Sequence, residues 1–257
     1  MTVFNPGRLA ARRVGAALVL ALATTMSLGA HAETDAKVEA LKKTLQERLG
    51  SKAEISEIRK SPIAGLYEVD VNKQVYYADP TGQYLMLGEI RDTTTGANLT
   101  QERTDQINRI DFASLPLQDA VKVVHGNGAR KIAVFSDPHC PYCHKLEETL
   151  QKVDNVTVYT FLFPILSPDS VAKSKAIWCA KDRGAAWENW MLRKQVPGND
   201  GSCNVAVLQR NLAMGQSMNV TGTPTVFLVD GNRLPGAVDS DSLEKALKAA
   251  QASNKKS

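Results

Sequence analysis

The sequence predicts an α+β chain in two parts, a small N-terminal block and a larger C-terminal domain built around one dithiol, with a helix between them. Three observations carry this expectation. Cys140 and Cys143 form a Cys-x-x-Cys pair between an apolar run (Ile132, Ala133, Val134, Phe135) and an amphipathic stretch (Leu146, Leu150, Val153). Short β-like runs crowd the chain before residue 95. From about Asp119 the pattern becomes strand, helix, strand, helical insert, strand pair, helix.

The first 32 residues read as a secretory signal peptide. A basic segment (Arg8, Arg12, Arg13) precedes the apolar residues 14–22, which are too few for the roughly 20 that span a bilayer. Ala30-His31-Ala32 is a small-x-small cleavage site, so the expected cut falls after Ala32 and leaves 225 residues in an oxidising compartment. The leader also distorts the charge. Without it, 28 basic residues face 27 acidic ones, so the net charge falls from +4 to +1 and nucleic-acid binding has no support.

Within residues 33–95, the expected N-terminal domain, Val38, Leu41, Leu45 and Leu49 step by three and four, which predicts a helix over 35–49 with Gly50 as its cap. Strand-like runs follow at 65–71, 74–78 and 84–87, the last two joined by an Asp79-Pro-Thr-Gly82 turn. A block this small buries little core and has more strand edge than it covers, so pairing with a second copy is expected. Tyr67, Tyr76, Tyr77 and Met86 are candidates for an apolar binding face, or simply core. Residues 96–118 are polar and read as a linker helix capped by Thr100.

Residues 119–257 form the expected catalytic domain. Strands are predicted at 121–124, 131–135 and within 156–165. Ser167 and Pro168 open a helix as N-cap and first position. A mostly helical stretch runs to about 218, then a strand over 223–229, a turn at Asp230-Gly231 and a closing helix over 240–250.

Strand, Cys-x-x-Cys, helix suits thiol chemistry. Cys140 stands where a helix begins, so unsatisfied N–H groups and the helix dipole favour its thiolate, and Pro141 fits the first turn. Cys140 is expected to be an exposed nucleophile and Cys143, one turn in, the resolving thiol. An inert Cys140–Cys143 disulfide is the competing reading. His139 and His144 either support the thiolate when protonated or are ordinary surface residues. An even count of four cysteines in an exported chain favours disulfides over a metal site, and neither Cys179 nor Cys203 has a nearby thiol or imidazole in sequence. No metal and no cofactor are expected.

The segments Phe135-Ser-Asp-Pro-His-Cys-Pro-Tyr-Cys-His-Lys-Leu146, Lys175-Ala-Ile-Trp-Cys-Ala-Lys-Asp182 and Val220-Thr-Gly-Thr-Pro-Thr225 resemble the DsbC/DsbG family of periplasmic thiol:disulfide interchange proteins, on its DsbC side. The resemblance implies a thioredoxin fold with a helical insertion, preceded by a dimerisation domain and a linker helix, in a homodimer. It implies a structural disulfide between Cys179 and Cys203, whose 25-residue loop stabilises the insert by roughly 3–4 kcal/mol on the chain-entropy model. It implies a cis peptide bond at Pro224, with the Thr223 backbone facing the thiols. The implied activity is disulfide isomerisation in misfolded, disulfide-containing exported proteins, with a membrane reductant, DsbD, keeping Cys140 reduced. Pro141-Tyr142 departs from the Gly-Tyr usual in DsbC and matches DsbG, which leaves redox poise open. Two other activities therefore stay in view, reduction of sulfenylated single cysteines and holdase-like chaperoning by the cleft.

Overall fold

The computed structural model describes residues 25–254, and the chain divides into two compact units between Gly88 and Glu89. Residues 1–24, which carry most of the expected signal peptide, lie outside the described residues. The expected cleavage position falls within the first helix, α1 (Thr25–Leu49), which begins ten residues before the predicted start.

In the first unit α1 is followed by β1 (Ile55–Lys60), β2 (Tyr67–Val71), β3 (Gln74–Ala78) and β4 (Leu85–Met86), an antiparallel sheet in chain order. Leu41 and Leu45 bury the helix stripe against Ile55, Ile58, Val69, Val71 and Ala78. The strand β1 was not predicted. A register shift between Ile55 and Glu57 breaks its alternation, so its two buried isoleucines lie three apart instead of two. Of the four candidate apolar residues, Tyr77 is buried, Tyr67 and Tyr76 pack partly against the core, and Met86 is exposed.

The second unit opens with α2 (Leu99–Ile107). Its cap is Asn98 and not Thr100: the Asn98 side chain accepts from the Gln101 N–H at 3.0 Å, while the Thr100 hydroxyl accepts from the Ile90 N–H at 2.8 Å. The predicted linker helix is thus nine residues long, and two 3₁₀ turns follow at Phe112–Ser114 and Leu117–Asp119. Phe112 and Leu115 are buried with Phe135, Phe161 and Phe227. The later part of the expected linker therefore belongs to the second unit's core, which the few apolar residues of 96–118 did not announce.

Five strands form the main sheet in the order β5-β7-β6-β8-β9: β5 (Val121–His125), β6 (Arg130–Ser136), β7 (Val156–Leu162), β8 (Thr225–Leu228) and β9 (Arg233–Pro235). The pair β6–β7 is parallel and the other pairs antiparallel. On the central strand, Ile132 and Val134 face α3 (Pro141–Leu150) and α7 (Ser240–Asn254) through Leu146, Leu150, Leu243 and Leu247, while Ala133 and Phe135 face the phenylalanine cluster. The insert comprises α4 (Pro168–Trp178), α5 (Arg183–Arg193) and α6 (Ala206–Ser217). The β8–β9 turn needs Gly231, whose φ is +81° and whose added Cβ would lie 2.0 Å from the Ile110 carbonyl oxygen. That contact is the price of the Ile110 N–H to Gly231 carbonyl bond at 3.1 Å, which ties residue 110 to the sheet.

Candidate active site

The strand β6 ends at Ser136 and α3 starts at Pro141, so residues 137–140 make the crossing. Cys140 is the N-cap of α3, in extended backbone, with Pro141 at the first helical position. This puts its sulfur at the helix end where N–H groups lack intrahelical acceptors. The backbone carbonyl of Cys140 accepts from the Cys143 and His144 N–H groups at 3.0 and 3.2 Å, closing the turn that carries both thiols.

The expectation of an exposed Cys140 is corrected: its relative exposure is 4%, and Cys143 is fully buried. Both are free thiols in a core cluster with Trp178, Trp187, Trp190 and Met191. Insert residues that the sequence showed only as a helical stretch supply this cover. The Cys140 thiol donates to the Thr223 carbonyl oxygen at 3.1 Å, and the Thr223–Pro224 peptide bond is cis. Residues 83 apart in sequence thereby meet at one sulfur.

Burial pushes the Cys143 thiol up to about 12, against the opposing pull of hydrogen bonds from the Ser136 side chain and the Asp137 backbone. One turn further along α3, burial pushes the Glu147 carboxyl up to about 7, although it accepts from Trp187 Nε1 at 2.8 Å. Sequence reasoning did not single out Ser136, Asp137 or Glu147. The available signal for Glu147 was its place four residues after Cys143, on the same helical face.

The two histidines are engaged by protein groups. The ring nitrogens of His144 lie 2.6 Å from the Met191 carbonyl and 3.1 Å from the Pro138 carbonyl, and Lys194 Nζ approaches the same ring at 2.8 Å. His139 Nε2 is 2.5 Å from the Asp169 carboxylate, without the alignment of a hydrogen bond, and its ring meets Trp190 edge-on. Tyr142, two residues after Cys140, and Ile165 and Leu166, whose N–H groups donate to the Asp137 carboxylate, leave large apolar side chains exposed.

Cys179 caps the C-terminus of α4 and is bridged to Cys203, with a sulfur–sulfur distance of 2.02 Å and 5.6 Å between Cα atoms. The bridge closes the loop between α4 and α6 and so encloses α5, the helix that brings Trp187 and Trp190 to the thiols. Among the described residues no group of His, Cys, Asp and Glu is arranged to hold a metal ion, and no helix is long and apolar enough to cross a membrane.

Two family profiles cover the chain: the disulfide bond isomerase protein N-terminal domain over residues 30–101 and a thioredoxin-like domain over residues 117–251. The probable thiol:disulfide interchange protein DsbC of Bordetella pertussis is 41% identical over 213 residues, covering 83% of this chain and 75% of its own. The thiol:disulfide interchange protein DsbC of Escherichia coli K12 is 33% identical over 205 residues, covering 77% and 81%. Among solved structures, a disulfide interchange protein from Neisseria gonorrhoeae matches 53% of this chain and 99% of its own at 37% identity, with a TM-score of 0.51. With a dithiol at the start of α3, a thioredoxin-like sheet behind it and these relatives along most of its length, the chain belongs to the DsbC family of thiol:disulfide interchange proteins.

Proposed function

We propose that the protein is a periplasmic disulfide isomerase and reductase that rearranges wrong disulfides in exported proteins through Cys140 and Cys143. One observation carries the residue assignment: Cys140 stands at a helix start with its sulfur against the Thr223 carbonyl, while Cys143 is sealed one turn behind.

The Cys140 thiolate attacks a client disulfide. The client S–S bond breaks, a Cys140–client disulfide forms, and the second client sulfur leaves as a thiolate that takes up a proton. From there two routes balance. The freed client thiol attacks another client disulfide, and the different client thiol released there attacks the mixed disulfide, giving an isomer and freeing Cys140 as a thiolate. Alternatively Cys143, having lost its proton, attacks the Cys140 sulfur, releases the client reduced and leaves a Cys140–Cys143 disulfide, which a dithiol donor must reduce. By family resemblance that donor is the membrane reductant DsbD. The buried, raised thiol of Cys143 slows the second route and gives the client thiol time to act. The Thr223 backbone beside the sulfur suits pairing with an extended client strand, and Tyr142, Ile165 and Leu166 supply apolar contact.

The N-terminal unit is assigned to homodimerisation: β4 pairs through only two residues, and Tyr84 and Leu87 beside it are exposed. Export, the signal peptide, the structural role of the Cys179–Cys203 bridge and chaperone activity complete the proposal. The test is a scrambled multi-disulfide substrate assay and sedimentation, run on the full chain and on residues 89–257. The expected result is a dimeric, isomerase-active full chain and a monomeric shorter one that keeps dithiol reduction but loses most isomerisation. A monomeric truncation with full isomerase activity defeats the role given to the N-terminal unit. Faster turnover of a sulfenylated single cysteine than of the scrambled substrate defeats the isomerase assignment.

A further inference from the structure

Asp137 is fully buried, and each of its carboxylate oxygens accepts two hydrogen bonds. One oxygen takes the His139 N–H and the Ser170 hydroxyl, both at 2.8 Å. The other takes the Ile165 and Leu166 N–H groups at 2.9 and 3.0 Å. The carboxylate thereby fastens the turn before α3 to the loop after β7 and to the first turn of α4, beyond the point where the β6–β7 ladder ends with the Phe163 N–H to Ser136 carbonyl bond at 2.8 Å. Its backbone is engaged with the dithiol as well. The Asp137 carbonyl accepts from the Cys140 N–H at 3.1 Å. The next residue is held in turn, since the Pro138 carbonyl accepts from Trp190 Nε1 at 2.7 Å.

A carboxylate withdrawn from water is tolerated only when its lone pairs are satisfied, and four donors satisfy this one. Three of the donors come from outside the turn, from the loop after β7 and the first turn of α4, and converge on the four residues that deliver the nucleophile. We propose that Asp137 is a positioning residue for thiol–disulfide exchange, fixing the turn that sets Cys140 at the start of α3 and against the Thr223 carbonyl. The inference rests on the exchange chemistry proposed above. Attack on a disulfide needs the sulfur in line at short range, and a displacement near 1 Å can cost about 100-fold in rate. Asp137 acts on that geometry through the turn, because its carboxylate oxygens are occupied by other donors.

The experiment measures the second-order rate of the reduced full-length protein with glutathione disulfide across pH, beside thermal melts. Asp137→Asn replaces an acceptor oxygen by a donor nitrogen, and the folded variant should react about 10-fold more slowly at every pH. Ser170→Ala removes one of the four donors and should slow the reaction about two- to threefold, with Ser170→Thr restoring it. Asp119→Asn breaks a bidentate pair with Arg210, at 2.7 Å for each bond, and serves as the control for stability alone. It should lower the melting temperature and keep the wild-type rate. A folded Asp137→Asn protein that reacts at the wild-type rate overturns the inference, whatever its melting temperature. Should Asp137→Asn not fold, equal rates for Ser170→Ala and Ser170→Thr overturn it in the same way. A wild-type protein that does not exchange with the probe or with a client disulfide strikes the proposed function instead.

Discussion

The second unit holds two cysteine pairs in opposite circumstances. Cys140 and Cys143 are free thiols packed under tryptophans, one of them bonded to a backbone carbonyl. Cys179 and Cys203 are bridged, and Cys203 lies at the surface. Exposure therefore does not mark the pair assigned to exchange. What separates them is local architecture: three positions apart at a helix start against a loop closure 24 residues apart in sequence. The first geometry brings unsatisfied N–H groups and a peptide carbonyl to one sulfur, while the second closes the loop that carries α5 and, on the chain-entropy model, restricts the unfolded chain.

Removing each sulfur in turn is the strongest way to break this contrast. Cys143→Ala should accumulate covalent client complexes on non-reducing gels, since the attacker remains and the resolving thiol is gone. Cys140→Ala should accumulate none and should lose exchange entirely. Complexes appearing only in the Cys140 variant would reverse the two roles.

Replacing both Cys179 and Cys203 by Ala should act on stability and leave the chemistry alone. Denaturation should show a loss of roughly 3–4 kcal/mol on the chain-entropy model. The reduction potential of the Cys140–Cys143 couple should stay close to the wild-type value. A folded double variant with strongly reduced turnover would make the bridge part of the redox machinery.

The third test separates the two regions by pH. Glu147, buried beside the thiols, titrates near 7 in the folded protein because burial disfavours its charge. Unfolded, it titrates near 4.3. Between those values the unfolded chain has released a proton that the folded chain keeps, so rising pH favours unfolding. The stability from neutral Glu147 is complete below about 4.3, falls through the interval and levels off above about 7, for a total of roughly 3–4 kcal/mol. Asp119 and Glu244, whose Arg210 and Arg130 partners hold them below the usual carboxylate range, contribute their pH dependence at lower pH. Glu147→Gln keeps an acceptor for Trp187 Nε1 and should flatten urea-derived stability between pH 5 and pH 8. An unchanged slope in the variant would assign the pH dependence elsewhere.

Local signals settled a good part of this protein in advance. Ser167 caps α4 and Pro168 follows it, as their order in the chain requires. The Cys-x-x-Cys pair lies at a strand-to-helix junction because its apolar flank has the strand's composition and Pro141 fits only a first turn. Tertiary structure decided the rest. β5 and β6 follow each other in sequence, yet β7 lies between them in the sheet. A bulge hid β1, and Phe112 and Leu115 joined a core that no pattern within residues 96–118 could reveal. Sequence periodicity reports which side of an element is apolar, but it carries no information about which distant element covers that side. Cys140 is buried in a cluster that includes Trp178 and Trp190 and is bonded to Thr223, and Asp137 collects donors from residues 139 to 170. The residue types of the reaction are thus written locally in the chain, whereas the environment that sets their reactivity exists only once distant segments have packed against them.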